Sequence, residues 1–353
     1  MKPAEPDPTV VRVSTPADIL GVLPHRLGFH PAESLVVVCL EGPRRRDKLV
    51  MRVDLPPRRL HAEVAAQLAA RAAHVRASAV VLVCYTDAPR HRAERGLVRS
   101  GFVERLVQAH HAQGVDVLEA LLVRRGRWWS YHCTDLACCP GSGSAVPDRL
   151  TPAAGGFAAE MVAGGAAVLA DRSDLAGSVE PSARPGAAAG REQALARAST
   201  VLADAAERDG SDGPRDLTLL TFTRLACAWA ERGESPDADD AALVALGLHD
   251  TRTRDEVMTL VLDHDPSVLV GLLTDLAGRT DDEAAAPVCT VLAWAAYAEG
   301  GGALAAVAAE RALRAHPGYA MAQLVLDGLD RMVPPSAVRE ISAAVRTDLR
   351  ETG

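Results

Sequence analysis

Three thiols, one imidazole and one carboxylate fall within nine residues, His132–Pro140, just after the aromatic run Trp128-Trp129-Ser130-Tyr131. Three chemistries fit that density. Cys133 can form a reversible disulfide with Cys138 or Cys139 across a short loop, with Arg124, Arg125 and Arg127 favouring the reactive thiolate. His132, Cys133, Cys138 and Cys139 can instead ligate a structural zinc ion. That site would be unusual, because zinc sites take two separated ligand pairs and adjacent cysteines rarely reach one ion together. In the plainest case the loop lies under the tryptophan pair and its thiols are buried. All three readings stay open at this level.

A second constellation is Gly28-Phe29-His30-Pro31-Ala32-Glu33-Ser34. His30 could act as a general base and Glu33 as the carboxylate that orients it. The plainer alternative is a polar turn in which Glu33 and Ser34 satisfy backbone groups. Cys39 and Cys84 sit in apolar strand-like runs, and Cys227 and Cys289 in apolar helical ones, so all four read as small buried hydrophobes. Gly141-Ser142-Gly143-Ser144 begins like a dinucleotide-binding loop, but Val146 stands where the third glycine belongs, so it reads as a turn. The chain has no Walker-type glycine-lysine loop, no G-x-S-x-G, no H-E-x-x-H and no C-x-x-C.

The elements that would position these residues follow from hydrophobic periodicity. Strands are expected at 10–13, 35–40, 49–55, 79–85, 115–123 and 128–132. Helices are expected from Thr15 to Gly21, over 61–75, over 92–112 and from 151 or 152 to about 169. Strand, helix, strand, helix, strand over 49–123 implies crossover units and a mixed, largely parallel sheet, with antiparallel hairpins at 35–55 and 115–132. From 191 onward only helical segments appear, at about 191–208, 217–232, 239–247, 252–263, 267–278, 283–299, 302–315, 318–331 and 335–350. The domain reading is an α/β domain over 1–180, a linker at 181–190 and an all-α domain over 191–353. Ala305, Ala312 and Pro317, with Trp294 in the preceding helix, match the small–small–proline positions of a tetratricopeptide repeat, so such packing is expected at about 284–331. Ala309 replaces the usual aromatic, and the glycine–tyrosine pair of the first helix is missing.

The chain has 353 residues, enough for two domains at roughly 100–200 residues each. It is 48% hydrophobic and 24% charged, which excludes disordered, collagenous and integral membrane classes. Its formal net charge of −8 divides into +6 over residues 1–150 and −14 over 151–353. Arginines at 44–46, 58–59 and 124–127 could meet a polyanion. The modest positive charge and the acidic second half weigh against nucleic acid. No targeting segment is read in Met1–Pro8, and an odd count of seven cysteines suits a reducing compartment, so a cytoplasmic protein is expected. No membrane segment is expected either, since the most apolar window, Ala284–Ala298, is too short to span a bilayer.

The motifs Gly28-Phe29-His30-Pro31-x-Glu33-Ser34, Arg52-x-Asp54-Leu55-Pro56 and Trp129-Ser130-Tyr131-x-Cys133-x4-Cys138-Cys139-Pro140 resemble an actinobacterial family defined as a domain of unknown function. The pattern over 303–319 is similar to that family's C-terminal part. The resemblance implies a bacterial cytoplasmic protein of GC-rich origin and carries no activity, cofactor or catalytic residue with it. The functional expectation is a regulatory or adaptor protein with a thiol-rich site and a helical half that binds a protein partner. The rival readings are a hydrolase or thiol-dependent enzyme using His30 and Glu33, or His132 and Cys133, at the sheet's strand ends, and a nucleic-acid-binding protein.

Overall fold

The computed structural model describes residues 15–42, 46–89, 96–133, 135, 137, 139–147, 168–183 and 186–351. The expected strand at 10–13, almost all of the expected helix at 151–169, and Cys138 lie outside these residues. The described residues form two compact units, one taking 15–26 and 30–147, the other 27–29 and 168–351.

The first unit opens with α1 (Pro16–Leu27). Thr15 caps it: its hydroxyl accepts from the Asp18 amide at 3.2 Å, and its own N–H donates to Asp18 Oδ2 at 2.9 Å. The helix does not stop at Gly21 as the sequence reading expected. Leu20, Leu23 and Leu27 form a buried stripe at helical spacing that carries it through Gly21 and Pro24. An interior proline costs a helix roughly 3 kcal/mol, which burial of such a stripe can offset.

The sheet runs β1 (Ser34–Glu41), β2 (Arg46–Asp54), β3 (Ala79–Tyr85), β4 (Asp116–Arg124), β5 (Arg127–Ser130) and β6 (Ser144–Ala145), in the spatial order β2-β1-β3-β4-β5-β6. Helices α2 (His61–His74) and α3 (Ser100–Ala112) follow β2 and β3. α3 starts later than expected; residues 90–95 are not described.

The sheet is mixed but mostly antiparallel, which corrects the largely parallel expectation. Among the described strands, only β3 and β4 pair in parallel. β1 inserts antiparallel between β2 and β3, so those two strands run the same way without touching. As a result the carboxyl ends of β2, β3 and β4, the amino end of β1, and the starts of α2 and α3 share one edge. β1 and β3 are buried on both faces, as continuous apolar runs require.

The second unit is helical: α4 (Arg172–Gly177), α5 (Ala187–Asp209), α6 (Gly213–Arg232), α7 (Ala238–Gly247), α8 (Thr251–Thr259), α9 (Pro266–Ala277), α10 (Asp282–Glu299), α11 (Gly302–Ala315), α12 (Ala320–Asp330) and α13 (Pro335–Glu351). The aspartates at 171, 237, 250 and 265 cap α4, α7, α8 and α9 with their carboxylates. α10 is the core helix, buried from Ala284 through Ala298. Arg311 of α11 is 1% exposed. Its guanidinium donates to the carbonyls of Ala277 at 2.7 Å and Thr280 at 2.5 Å, and also to that of Val179. Among the described residues, no helix is long and apolar enough to cross a membrane.

Candidate functional site

The structure does not bring the two sequence-predicted constellations together. His30 and Glu33 lie at the edge formed by the carboxyl ends of β3 and β4. His132 and Cys133 follow the far end of β5, where Tyr131 N–H reaches back to the Ala120 carbonyl at 2.8 Å.

At the strand-end rim Glu33 is held in the left-handed region, φ 41°, where a residue with a Cβ is strained. Three contacts fix it. Thr86 Oγ1 donates to Glu33 Oε2 at 2.8 Å, and Asp87 N–H donates to Oε1 at 2.7 Å. Leu55 N–H donates to the Glu33 carbonyl at 3.0 Å. Asp87 in turn accepts the Arg125 N–H at 2.8 Å. Two carboxylates, Glu33 and Asp87, thereby tie the start of β1, the end of β3 and the β4–β5 turn. Both Glu33 oxygens face Thr86 and Asp87, so they do not orient His30, which is exposed and whose charge is felt at His25.

Ser34 next door is fully buried, yet its hydroxyl has no hydrogen-bond partner. The same holds for the hydroxyl of Tyr85, its register partner on β3. Burial pushes the Tyr85 pKa up. Thr86, Asp87 and Tyr85 were not singled out from sequence. Their only local signal is their place just inside or beyond a buried strand's carboxyl end.

The thiol loop is braced at both ends. Ser130 Oγ accepts the N–H groups of His132 and Cys133, each at 3.1 Å, and donates to Glu119 Oε1 at 2.7 Å. On the return, Arg127 donates to the Ser142 and Gly143 carbonyls at 2.6 Å each, and Trp129 Nε1 to the Gly141 carbonyl at 3.1 Å. Gly143, at φ +74°, lies so close to the Trp129 indole that a Cβ there would come within 2.4 Å of the ring. The Gly-Ser-Gly-Ser run is therefore a fastened turn.

Inside the loop, Cys139 N–H donates to the Asp135 carbonyl at 2.7 Å, and Cys133 Sγ lies 3.9 Å from the same oxygen. Both cysteines are half-buried. Arg127 is occupied with loop carbonyls and Arg125 stands at the strand-end rim, which is not the arrangement the thiolate argument assumed. His132 is exposed. Among the described residues, no group of three or more His, Cys, Asp or Glu side chains could hold a metal ion. Cys138, a member of the candidate zinc set, is not among them.

The remaining cysteines split by burial. Cys39, Cys84 and Cys289 are buried, but Cys227 is exposed on α6, which corrects its reading as a buried hydrophobe. α6 turns Phe222, Leu225 and Ala226 inward and leaves Cys227 outside. Of the aromatics near the loop, Trp129 is covered by Gly143, and Tyr131 donates its hydroxyl to the Val98 carbonyl at 2.5 Å.

A family model described as a domain of unknown function, DUF4192, matches residues 16–336. No curated protein and no solved structure gave a match.

Proposed function

This chain belongs to the DUF4192 family, and we propose that it is a cytoplasmic regulatory or adaptor protein whose thiol loop responds to oxidants and whose helical unit binds a protein partner. The observation that carries this reading is the convergence of the Cys133 thiol and the Cys139 backbone N–H on the Asp135 carbonyl, in a loop pinned at both ends where both cysteines are half-buried. A pinned loop keeps the two thiols in one neighbourhood, and their partial exposure admits a small oxidant. With peroxide as oxidant, the Cys133 thiolate attacks one peroxide oxygen and releases water, becoming a sulfenic acid. The Cys139 thiol then attacks that sulfur and displaces a second water, so two thiols and one peroxide give one disulfide and two waters.

The partner-binding half of the reading rests on α10 and α11. Ala305, Ala309 and Ala312 of α11 are fully buried and Trp294 of α10 nearly so, the close small-residue approach that tetratricopeptide-like pairs use. Such pairs commonly serve as interaction surfaces.

Thiol counting after a brief peroxide pulse tests the loop. Wild-type protein should lose two free thiols per chain and regain them with reductant, while Cys133→Ser should lose none. An identical loss in Cys133→Ser would overturn the reading.

A further inference from the structure

A cavity of about 230 Å³ opens beside the start of α5, between that helix, α7 and the segment that follows α9. Its inner wall is apolar, with Ala194 and Leu195 of α5 facing Ala242 and Ala245 of α7. Ala194 and Ala242 belong to the small core in which α5 packs on α7. Alanine side chains fill little of the space between two helices, so a void survives where no larger side chain enters. Gly190 marks the place where packing stops. It lies one turn before Ala194 and two before Ala198, on the same face of α5. Ala194 and Ala198 are 1% and 3% exposed, yet a Cβ at Gly190 would meet nothing within 4 Å outside the local helix backbone. A glycine inside a helix costs stability relative to alanine, and here neither a positive φ nor a close neighbour requires one. Its effect is to keep the mouth of the cavity open.

The rim is polar and fastened. Arg191 donates to Asp281 Oδ1 through Nε at 2.9 Å and to the Ser182 carbonyl through Nη1 at 3.0 Å. Ser182 N–H donates to the Gly278 carbonyl at 3.1 Å. Arg279 is bound to Asp275 at 2.7 Å. Each guanidinium at the rim already has its carboxylate, so a charged ligand would shed water without gaining an unpaired counter-charge. The same contacts hold the walls in place, which makes the cavity preformed.

We propose that this cavity binds a small uncharged molecule, with an apolar body about the size of one aromatic ring and a single polar group left at the rim. A cavity of about 150 Å³ accepts benzene, so the space here takes one ring and a short substituent. Apolar walls hold water poorly, and replacing such water by an apolar body favours binding. The polar group meets the paired side chains at the mouth, which offer both donors and acceptors. The site does not depend on the thiol loop.

Titration of the full chain with benzyl alcohol, followed by NMR, tests the proposal. Saturable binding with a Kd of roughly 1 mM is expected, within what a ligand of this size can supply. The Ala242 methyl signal, assigned by its loss in Ala242→Gly, should move during the titration. Gly190→Leu adds a side chain at the mouth and should stay folded, because it meets no neighbour there and leucine is the better helix former. It should weaken binding at least about tenfold. Leu220→Ser, which removes an exposed side chain of α6, should leave binding unchanged. Benzoate and benzylammonium, similar in shape but charged, should bind at least about tenfold more weakly than the alcohol. Absence of saturable binding up to about 10 mM benzyl alcohol, well above that Kd, would overturn the proposal. So would an Ala242 signal that stays still, undiminished binding in a folded Gly190→Leu chain, or equal weakening by Leu220→Ser. Binding of benzoate or benzylammonium as tight as that of the alcohol would overturn it in favour of a charged ligand.

Discussion

At the scale of single residues, burial divides the cysteines into two chemical classes. Burial pushes the Cys39 thiol up to about 12 and the Cys289 thiol up to about 11, so neither forms the reactive thiolate near neutral pH. In native protein at pH 8, a thiol reagent should modify Cys133, Cys139 and Cys227 within minutes. Cys39, Cys84 and Cys289 should react only after denaturant is added, and mass mapping of the modified peptides checks this. Gly143 is a second residue whose role is set by its surroundings. Gly143→Ala adds a Cβ against the Trp129 ring at a positive φ, which should destabilise the unit by about 1–3 kcal/mol and shift tryptophan emission as the turn lifts off the indole. Full retention of stability and emission in that variant would show that the turn is not fastened there. The thiol cluster was legible from residue types alone. Glu33's partners were not, because Thr86 lies 53 residues away and only the β1–β3 pairing brings the two together.

At the scale of elements, the helices were the most readable part of the chain. Periodicity and end signals are local, and from α6 onward most observed boundaries fall within a few residues of those expected. α4 was missed because six residues carry too little periodicity to register. The sheet direction was misjudged because a crossover from β2 to β3 implies parallel strands but says nothing about β1 inserting between them. Arg311 shows how elements are locked together, since its guanidinium joins α11 to the segments after α4 and α9. Arg311→Met keeps much of the volume but leaves the Val179, Ala277 and Thr280 carbonyls without that donor. It should cost roughly 3 kcal/mol or more, given about 1–3 kcal/mol for each buried group left unsatisfied. Urea unfolding followed by far-UV circular dichroism measures the loss, and a midpoint equal to wild type would refute the locking role.

At the scale of the whole molecule, the response to acid follows from buried histidines. His110 is fully buried, with Nδ1 on the Leu106 carbonyl at 2.7 Å and no partner for Nε2. Burial chiefly lowers its pKa, with His111 adding to the effect against the Leu106 contact, and His61 is lowered as well. A base whose folded pKa is depressed binds fewer protons in the native state than in the unfolded one. Stability is therefore full above the ordinary histidine value of 6.5 and falls as the pH drops from there toward the lowered native values. The slope approaches about 1.4 kcal/mol per pH unit per histidine. His110→Leu should flatten the urea midpoint between pH 7.5 and 5.5, and an unchanged slope would assign the acid response to other groups. The sequence by itself determined the local matters: which stretches are helix or strand, the change from an α/β to a helical pattern, the charge imbalance and the density of thiols. These follow from spacings of a few residues, where periodicity, caps and composition act directly. Only the tertiary structure decided the strand order, the strained Glu33 clamp, the outward-facing Cys227, the buried Arg311 and the meeting of His61 with Phe102. Each of these depends on groups far apart in the chain or on which side of an element is covered. Such pairings arise only when burial and loop closure act on the whole chain at once.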